Sequence, residues 1–305
     1  MQLKFPKLLR IIRVHIVVGG AFAFSLGALL AIVGGGTFNP LLVVIFYAIV
    51  FCGDLSTHFS NDYFDIKVDK YIEQKKFFAG KNILVNHPEL RGQSRKISIF
   101  LLSTSITLAI LLVLFQVASL ELLIITVGAN FLGWFYSAPP LRLISRGLGE
   151  VALAVSVGFA IPALGYMSVK GALDQLFVFF VFPFVMYALM LSLSLEAPDR
   201  EIDLKGAKRN LVVRKGERTV FALILTSASL AFLMFFFINL FAPFTAVDFR
   251  YVILFSIVPL LAGLVGCLRA FNKDELNRLS ALVVSSLFVF NVLMISYLFV
   301  IALAR

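Results

Sequence analysis

Nine apolar stretches, each about 20 residues long, set the terms on which this chain can fold. They lie near 11–34, 39–60, 97–116, 119–137, 150–169, 175–196, 219–241, 250–270 and 280–303. With 60% of its 305 residues hydrophobic, the chain carries more apolar surface than one soluble core can hide. A bilayer can take it, since a helix of this length and character spans the hydrocarbon layer. The expected fold class is an all-α membrane protein of about nine transmembrane helices, a single domain over 1–305. The first stretch is too long for a typical cleaved signal peptide and reads as a retained helix.

The basic residues sort the loops. If the nine stretches alternate across a membrane, 24 of the 27 Lys and Arg fall on one side, and only Lys170, Arg250 and Arg305 on the other. Positive loops stay in the cytoplasm, so the N-terminus and the two long loops, about 65–96 and 197–218, are expected there. The expected location is the cell membrane. A net charge of +10 is then explained by topology and contact with anionic lipid, without a nucleic-acid partner. The two cysteines, Cys52 and Cys267, form no metal-type spacing and no disulfide framework.

The unusual polar chemistry sits where the two long loops begin. Asn61-Asp62-Tyr63-Phe64-Asp65 leads to Asp69 in the first; Glu196-Ala197-Pro198-Asp199 leads to Asp203 in the second. Acid-x-x-Asp-x-x-x-Asp thus occurs twice, offset by 134 residues, with four stretches between the copies. This suggests two four-helix halves plus a ninth helix around a central cavity, with both motifs on the same side. Residues at i, i+3 and i+7 share a helix face, so Asp62, Asp65 and Asp69 are expected to line up beside Asn61 and Asp54. Carboxylates about 6 Å apart repel by roughly 3 kcal/mol at an effective dielectric near 20. Something cationic must offset this. The donors are all oxygen, which suits a hard cation such as Mg²⁺, and Mg²⁺ is commonly shared with substrate phosphates. The plainer reading is a solvated loop in which these acids pair with Lys67, Lys70, Lys205 and Lys208.

Basic side chains lie beside the acids. Lys75, Lys76, Lys81, Lys208, Arg209 and Arg214 could clamp diphosphate oxygens or serve only as topology determinants. Arg13, at the start of the first stretch, has the choice of joining them or snorkelling to the interface. Tyr136-Ser137-Ala138-Pro139-Pro140-Leu141-Arg142 ends the fourth stretch, because the Pro pair stops a helix. It presents two hydroxyls and a guanidinium there. His58 and His87 read as structural or solvated rather than catalytic. Glu150, at a helix start, favours the dipole.

Taken together, Asn61-x3-Asp65-x3-Asp69, Asp199-x3-Asp203 and Tyr136-Ser-x-Pro-Pro-x-Arg142 resemble the UbiA superfamily of intramembrane prenyltransferases. The resemblance covers nearly the whole chain. It implies that Asn61, Asp62, Asp65, Asp69, Asp199 and Asp203 hold two Mg²⁺ ions on a prenyl diphosphate, with Asn61, Asp65, Asp69, Asp199 and Asp203 the catalytic set. Arg13, Lys76, Tyr136, Ser137, Arg142, Lys208 and Arg209 would bind substrate. The diphosphate leaves, and an electron-rich acceptor attacks the allylic cation in a dry channel. Where many members carry an Arg-Pro-rich stretch, this chain has Glu73-Gln74-Lys75-Lys76-Phe77-Phe78-Ala79-Gly80, and Lys75 or Lys76 would take the Arg's place. Asn61-Asp62-Tyr63-Phe64-Asp65 and Gly147-Leu148-Gly149-Glu150 look similar to quinone-pathway enzymes acting on naphthoate acceptors. The spacing before Asp69 looks closer to other branches.

The expected function is therefore Mg²⁺-dependent prenyl transfer to a small, lipid-soluble or aromatic quinone-precursor acceptor among membrane lipids. One alternative acceptor is a glycerol-phosphate lipid alcohol, as used by digeranylgeranylglyceryl phosphate synthase. Another class is a secondary transporter, but transporters place polar sites near the bilayer midplane. Here the acids lie at span ends.

Overall fold

The computed structural model describes residues 7–71, 83–206, 208–242, 246–270 and 275–304. Among them, nine helices are long and apolar enough to cross a membrane: α1 (Val14–Val33), α2 (Pro40–Phe64), α3 (Arg91–Leu114), α4 (Leu120–Ser137), α5 (Gly149–Lys170), α6 (Gln175–Glu196), α7 (Glu217–Phe241), α8 (Phe249–Arg269) and α9 (Leu276–Leu303). The chain is an all-α, multi-pass membrane protein, as its apolar stretches predict. Large side chains such as Leu41, Val44, Phe100 and Phe182 point outward, as a lipid-facing surface requires.

Polar residues start three of these helices on the side away from the acids. The Asn39 side chain accepts from the Leu41 and Leu42 N–H groups at 3.0 and 3.3 Å, just ahead of Pro40. Asp174 accepts from Phe177 N–H at 3.3 Å and Asp248 from Arg250 N–H at 3.0 Å. Each cap satisfies amides that the helix itself leaves unpaired.

The halves meet where α1 crosses α5. A Cβ on Gly27 would lie 2.0 Å from the Pro162 carbonyl oxygen, and one on Gly165 would lie 2.1 Å from that of Phe24. Only glycine allows backbones this close. Within each half, α2 packs on α3 and α6 on α7. The likeness stops at the fourth helix. In the first half α4 packs on both α2 and α3, whereas α8 turns outward to pack on α7 and α9. Helix α9 then closes the ring against α1. A π-helical turn, Ser156–Ala160, interrupts α5.

Candidate active site

Both acidic motifs bend at their middle acid. Helix α2 stops at Phe64, Asp65 leaves helical geometry (φ −91°, ψ 7°), and a short helix resumes at Ile66–Asp69. Helix α6 stops at Glu196, a 3₁₀ turn carries the chain through Asp199, and a short helix resumes at Arg200–Lys205. The single-helix stripe expected of Asp62, Asp65 and Asp69 is thus broken in two. The break turns Asp65 and Asp69 into a cavity of about 330 Å³, which Asn61, Asp199 and Asp203 also line. Asp62 faces elsewhere. It is buried and accepts a hydrogen bond from Arg13 Nη2 at 3.1 Å.

Among the described residues, Lys208 joins the two motifs. Lys208 Nζ lies 4.0 Å from Asp65 Oδ2 and 3.5 Å from Asp203 Oδ1. Burial opposes its charge, but Asp65, Asp203 and Asp69 outweigh burial and hold the Lys208 ammonium above its ordinary pKa. Each acid also has a neutral partner. Ser137 Oγ donates to Asp65 Oδ2 at 2.7 Å, and Asn210 Nδ2 donates to Asp203 Oδ2 at 2.6 Å. Asn210 is placed to do so because its Oδ1 caps the short helix Leu211–Lys215, accepting from Val213 N–H at 3.0 Å. Burial, and then the charges of Asp62 and Asp65, push the Asp69 carboxyl up to about 7. A divalent cation among these acids would reverse that shift.

The donors fit a hard ion that is completed by its ligand. Among the described residues, no three His, Cys, Asp or Glu side chains already converge as a metal cage. Mg²⁺ asks for no such cage, since it keeps waters and takes one or two carboxylates together with phosphate oxygens.

The expected substrate-binding residues divide. Arg13, Tyr136 and Lys208 line the cavity, and Ser137 reaches it through Asp65. Arg142 and Arg209 do not line it; both are exposed. Arg142 adopts a left-handed conformation (φ 45°) after the Pro pair. Lys76 lies outside the described residues, with Lys75 and Lys81.

The fold adds a partner for Glu196 and a polar wall beyond Asp54. Glu196, at the end of α6, meets the Glu150 carboxyl from α5, and no other group among the described residues donates a hydrogen bond to it. Glu150 is tied by its other oxygen to Leu211 N–H, so it does more than favour a helix dipole. Deeper in, Asp54, Thr57 and His58 of α2 and Asn130 of α4 form a polar wall. The sequence places Asp54 and Asn61 beside the acidic stripe but not Thr57, His58 or Asn130, although His58 recurs at helical spacing with Asp54, Asn61 and Asp65. Below the acids the cavity is otherwise largely apolar, walled by Ile49, Val50, Leu153, Val157, Ile161 and Leu164.

Comparison with known proteins adds a family. The model of the UbiA prenyltransferase family matches residues 21–292. No curated protein matches the chain in sequence. Among solved structures, a UbiA homologue from Archaeoglobus fulgidus bound to DMAPP and Mg²⁺ superposes with a TM-score of 0.67 at 16% identity, covering 98% of this chain and all of the other. A digeranylgeranylglyceryl phosphate synthase superposes with a TM-score of 0.69 at 17% identity, covering 97% of this chain and 98% of the other. The apo UbiA homologue from Aeropyrum pernix K1 gives 0.64 at 13% identity, over 91% and 98%.

Proposed function

The chain belongs to the UbiA prenyltransferase family, and we propose that it moves a prenyl group from a prenyl diphosphate to a small aromatic acceptor of the quinone-precursor kind, with Mg²⁺. The observation that carries this reading is the convergence of two acidic motifs, 134 residues apart, on one cavity. Asn61, Asp65, Asp69, Asp199 and Asp203 would hold the ions. The chemistry the ions supply is neutralisation of charge on the departing diphosphate.

The chain's own residues do the rest. Lys208 and Arg13 face the diphosphate with fixed positive charge, and Lys208 turns from bridging two aspartates to binding phosphate oxygens. Ser137 and Asn210 hold Asp65 and Asp203 in the rotamers that face the cavity. Tyr136 presents its hydroxyl at the same level. The apolar wall takes the prenyl chain and keeps water from the allylic cation. Gly147-Leu148-Gly149-Glu150, placed by its turn with Glu150 against Glu196, supports the aromatic acceptor.

The site is assigned to the cytoplasmic face of the cell membrane, on the 24-to-3 division of basic residues. Reporter fusions after Lys81 and Arg209 should both read cytoplasmic. The central test is purified protein with Mg²⁺, labelled prenyl diphosphates of several lengths and a panel of acceptors. Transfer to hydroxylated aromatics is expected. Transfer only to a glycerol-phosphate lipid alcohol would move the chain to the other acceptor class, and no transfer to any acceptor would sink the reading.

A further inference from the structure

One side chain in the cavity has no role in holding a diphosphate. His58 is 4% exposed and lines the polar wall, and among the described residues neither ring nitrogen has a hydrogen-bond partner. Burying an imidazole without a partner costs free energy, so such a group marks a place where something binds. Its Nε2 lies 3.6 Å from Asp54 Oδ1, one helical turn away on α2 and just beyond hydrogen-bonding distance. That is the layout of a base and its orienting carboxylate, which tighten when substrate arrives. Arg13 and His15, at the start of α1, also line this cavity and act electrostatically on the imidazole.

The position along α2 is what matters. His58 precedes Asp65 by seven residues, about 10 Å along the helix axis. A prenyl diphosphate with its phosphates at Asp65 and Asp203 would point its first carbon inward along this stretch of wall. An acceptor attacking that carbon would lie along the stretch of wall between Asp65 and His58. Asn130, fixed by donating to Ser105 Oγ at 3.0 Å and to the Thr126 carbonyl at 2.9 Å, stands at the same wall to orient a polar substituent.

We propose that His58 is the base that removes the acceptor's proton and that Asp54 is its positioning residue. The inference rests on the prenyl-transfer reading above. The electron pair of an aromatic ring carbon forms the new bond to the first prenyl carbon. The carbon–oxygen pair leaves with the diphosphate. The ring carbon then loses its proton to the imidazole nitrogen turned away from Asp54. The Asp54 carboxylate balances the imidazolium, which returns its proton to water as product leaves.

The test uses the full-length protein in lipid nanodiscs with Mg²⁺. It measures steady-state and single-turnover transfer to a hydroxylated aromatic acceptor, and Mg²⁺-dependent binding of a non-hydrolysable prenyl diphosphate analogue. His58→Gln should bind the analogue as wild type does and lose about 100-fold in kcat with little change in KM. Added imidazole should restore part of the rate to His58→Ala. Asp54→Asn should lose about tenfold in kcat, and Asp54→Glu should recover most of it. Wild-type transfer in His58→Gln would overturn the proposal. So would parallel loss of analogue binding, or no rescue of His58→Ala by imidazole. If wild-type protein itself fails to bind the analogue with Mg²⁺, the prenyl-transfer reading falls, and this inference with it.

Discussion

In the first acidic motif the leading carboxylate, Asp62, is turned out of the cavity and neutralised by Arg13 at 3.1 Å. In the second the corresponding residue, Glu196, stays in the cavity wall and meets another carboxyl, Glu150. The remaining acids all line the cavity. Each motif bends at its middle acid, and Lys208 bridges Asp65 of one to Asp203 of the other. The two motifs share the bend and the cavity, while Lys208 joins the middle acid of one to the last acid of the other. At the leading position one copy became an ion pair that ties the N-terminal segment to α2. The other keeps two acids together at the mouth of the cavity.

Breaking the shared positions should have the largest effect. Asp65→Asn and Asp203→Asn should each lower single-turnover transfer by on the order of 10²–10³-fold. The double variant should be little worse than either, because the residues act as one unit. Strictly multiplicative losses would mean two independent sites.

Acidification should act next. The Asp69 carboxyl sits at about 7, above its ordinary value, so it is protonated below that pH and ionised above it. Metal binding needs the carboxylate. Mg²⁺ affinity, read by titration in the presence of a prenyl diphosphate analogue, should therefore fall by up to about tenfold for each pH unit below 7. In Asp69→Asn that dependence should vanish along with much of the affinity.

The leading acids should separate in stability. Asp62→Asn strands Arg13 and should cost about 1–3 kcal/mol, measured by thermal unfolding in detergent. Glu196→Gln gives Glu150 a donor and should leave the melting temperature unchanged or raised. Equal losses would erase the contrast between the motifs.

The smallest effects concern neutral partners. Ser137→Ala and Tyr136→Phe should each lower kcat/KM by roughly 3–10-fold, the worth of one hydrogen bond. Arg142→Ala, at an exposed site off the cavity, should stay within about twofold. A larger loss there would bring Arg142 back to the substrate.

What could be read in advance followed from constraints that act locally. Lipid imposes a span length, so the nine apolar stretches correspond to nine long apolar helices among the described residues. Helix ends were less legible, because they answer to tertiary contacts. Helix α3 starts at Arg91, before its apolar run, where the Arg91 guanidinium lies 4.7 Å over the Tyr63 ring. The acidic repeat could be seen from spacing alone. Lys208 as its bridge could not, since two remote segments have to meet first. Arg142 and Arg209 had the right charge near the right motif, but the backbone carries both out to solvent. His58 carries no signal alone; its place four after Asp54 and three before Asn61 puts it on the same helical face as both.

The π turn of α5 gives the bundle its phasing. Ahead of it Glu150 meets α6, and after it Gly165 meets the backbone of α1, while residues on both sides, Leu153 and Leu164 among them, face the cavity. Such a turn holds one residue more than a regular helix would, and one residue is about 100° of rotation. Deleting Val157 would restore a regular helix at that rotation. Either the two cavity walls or the α1 crossing would then be out of phase, so the extra residue lets a single helix serve two surfaces that an unbroken one could not present together.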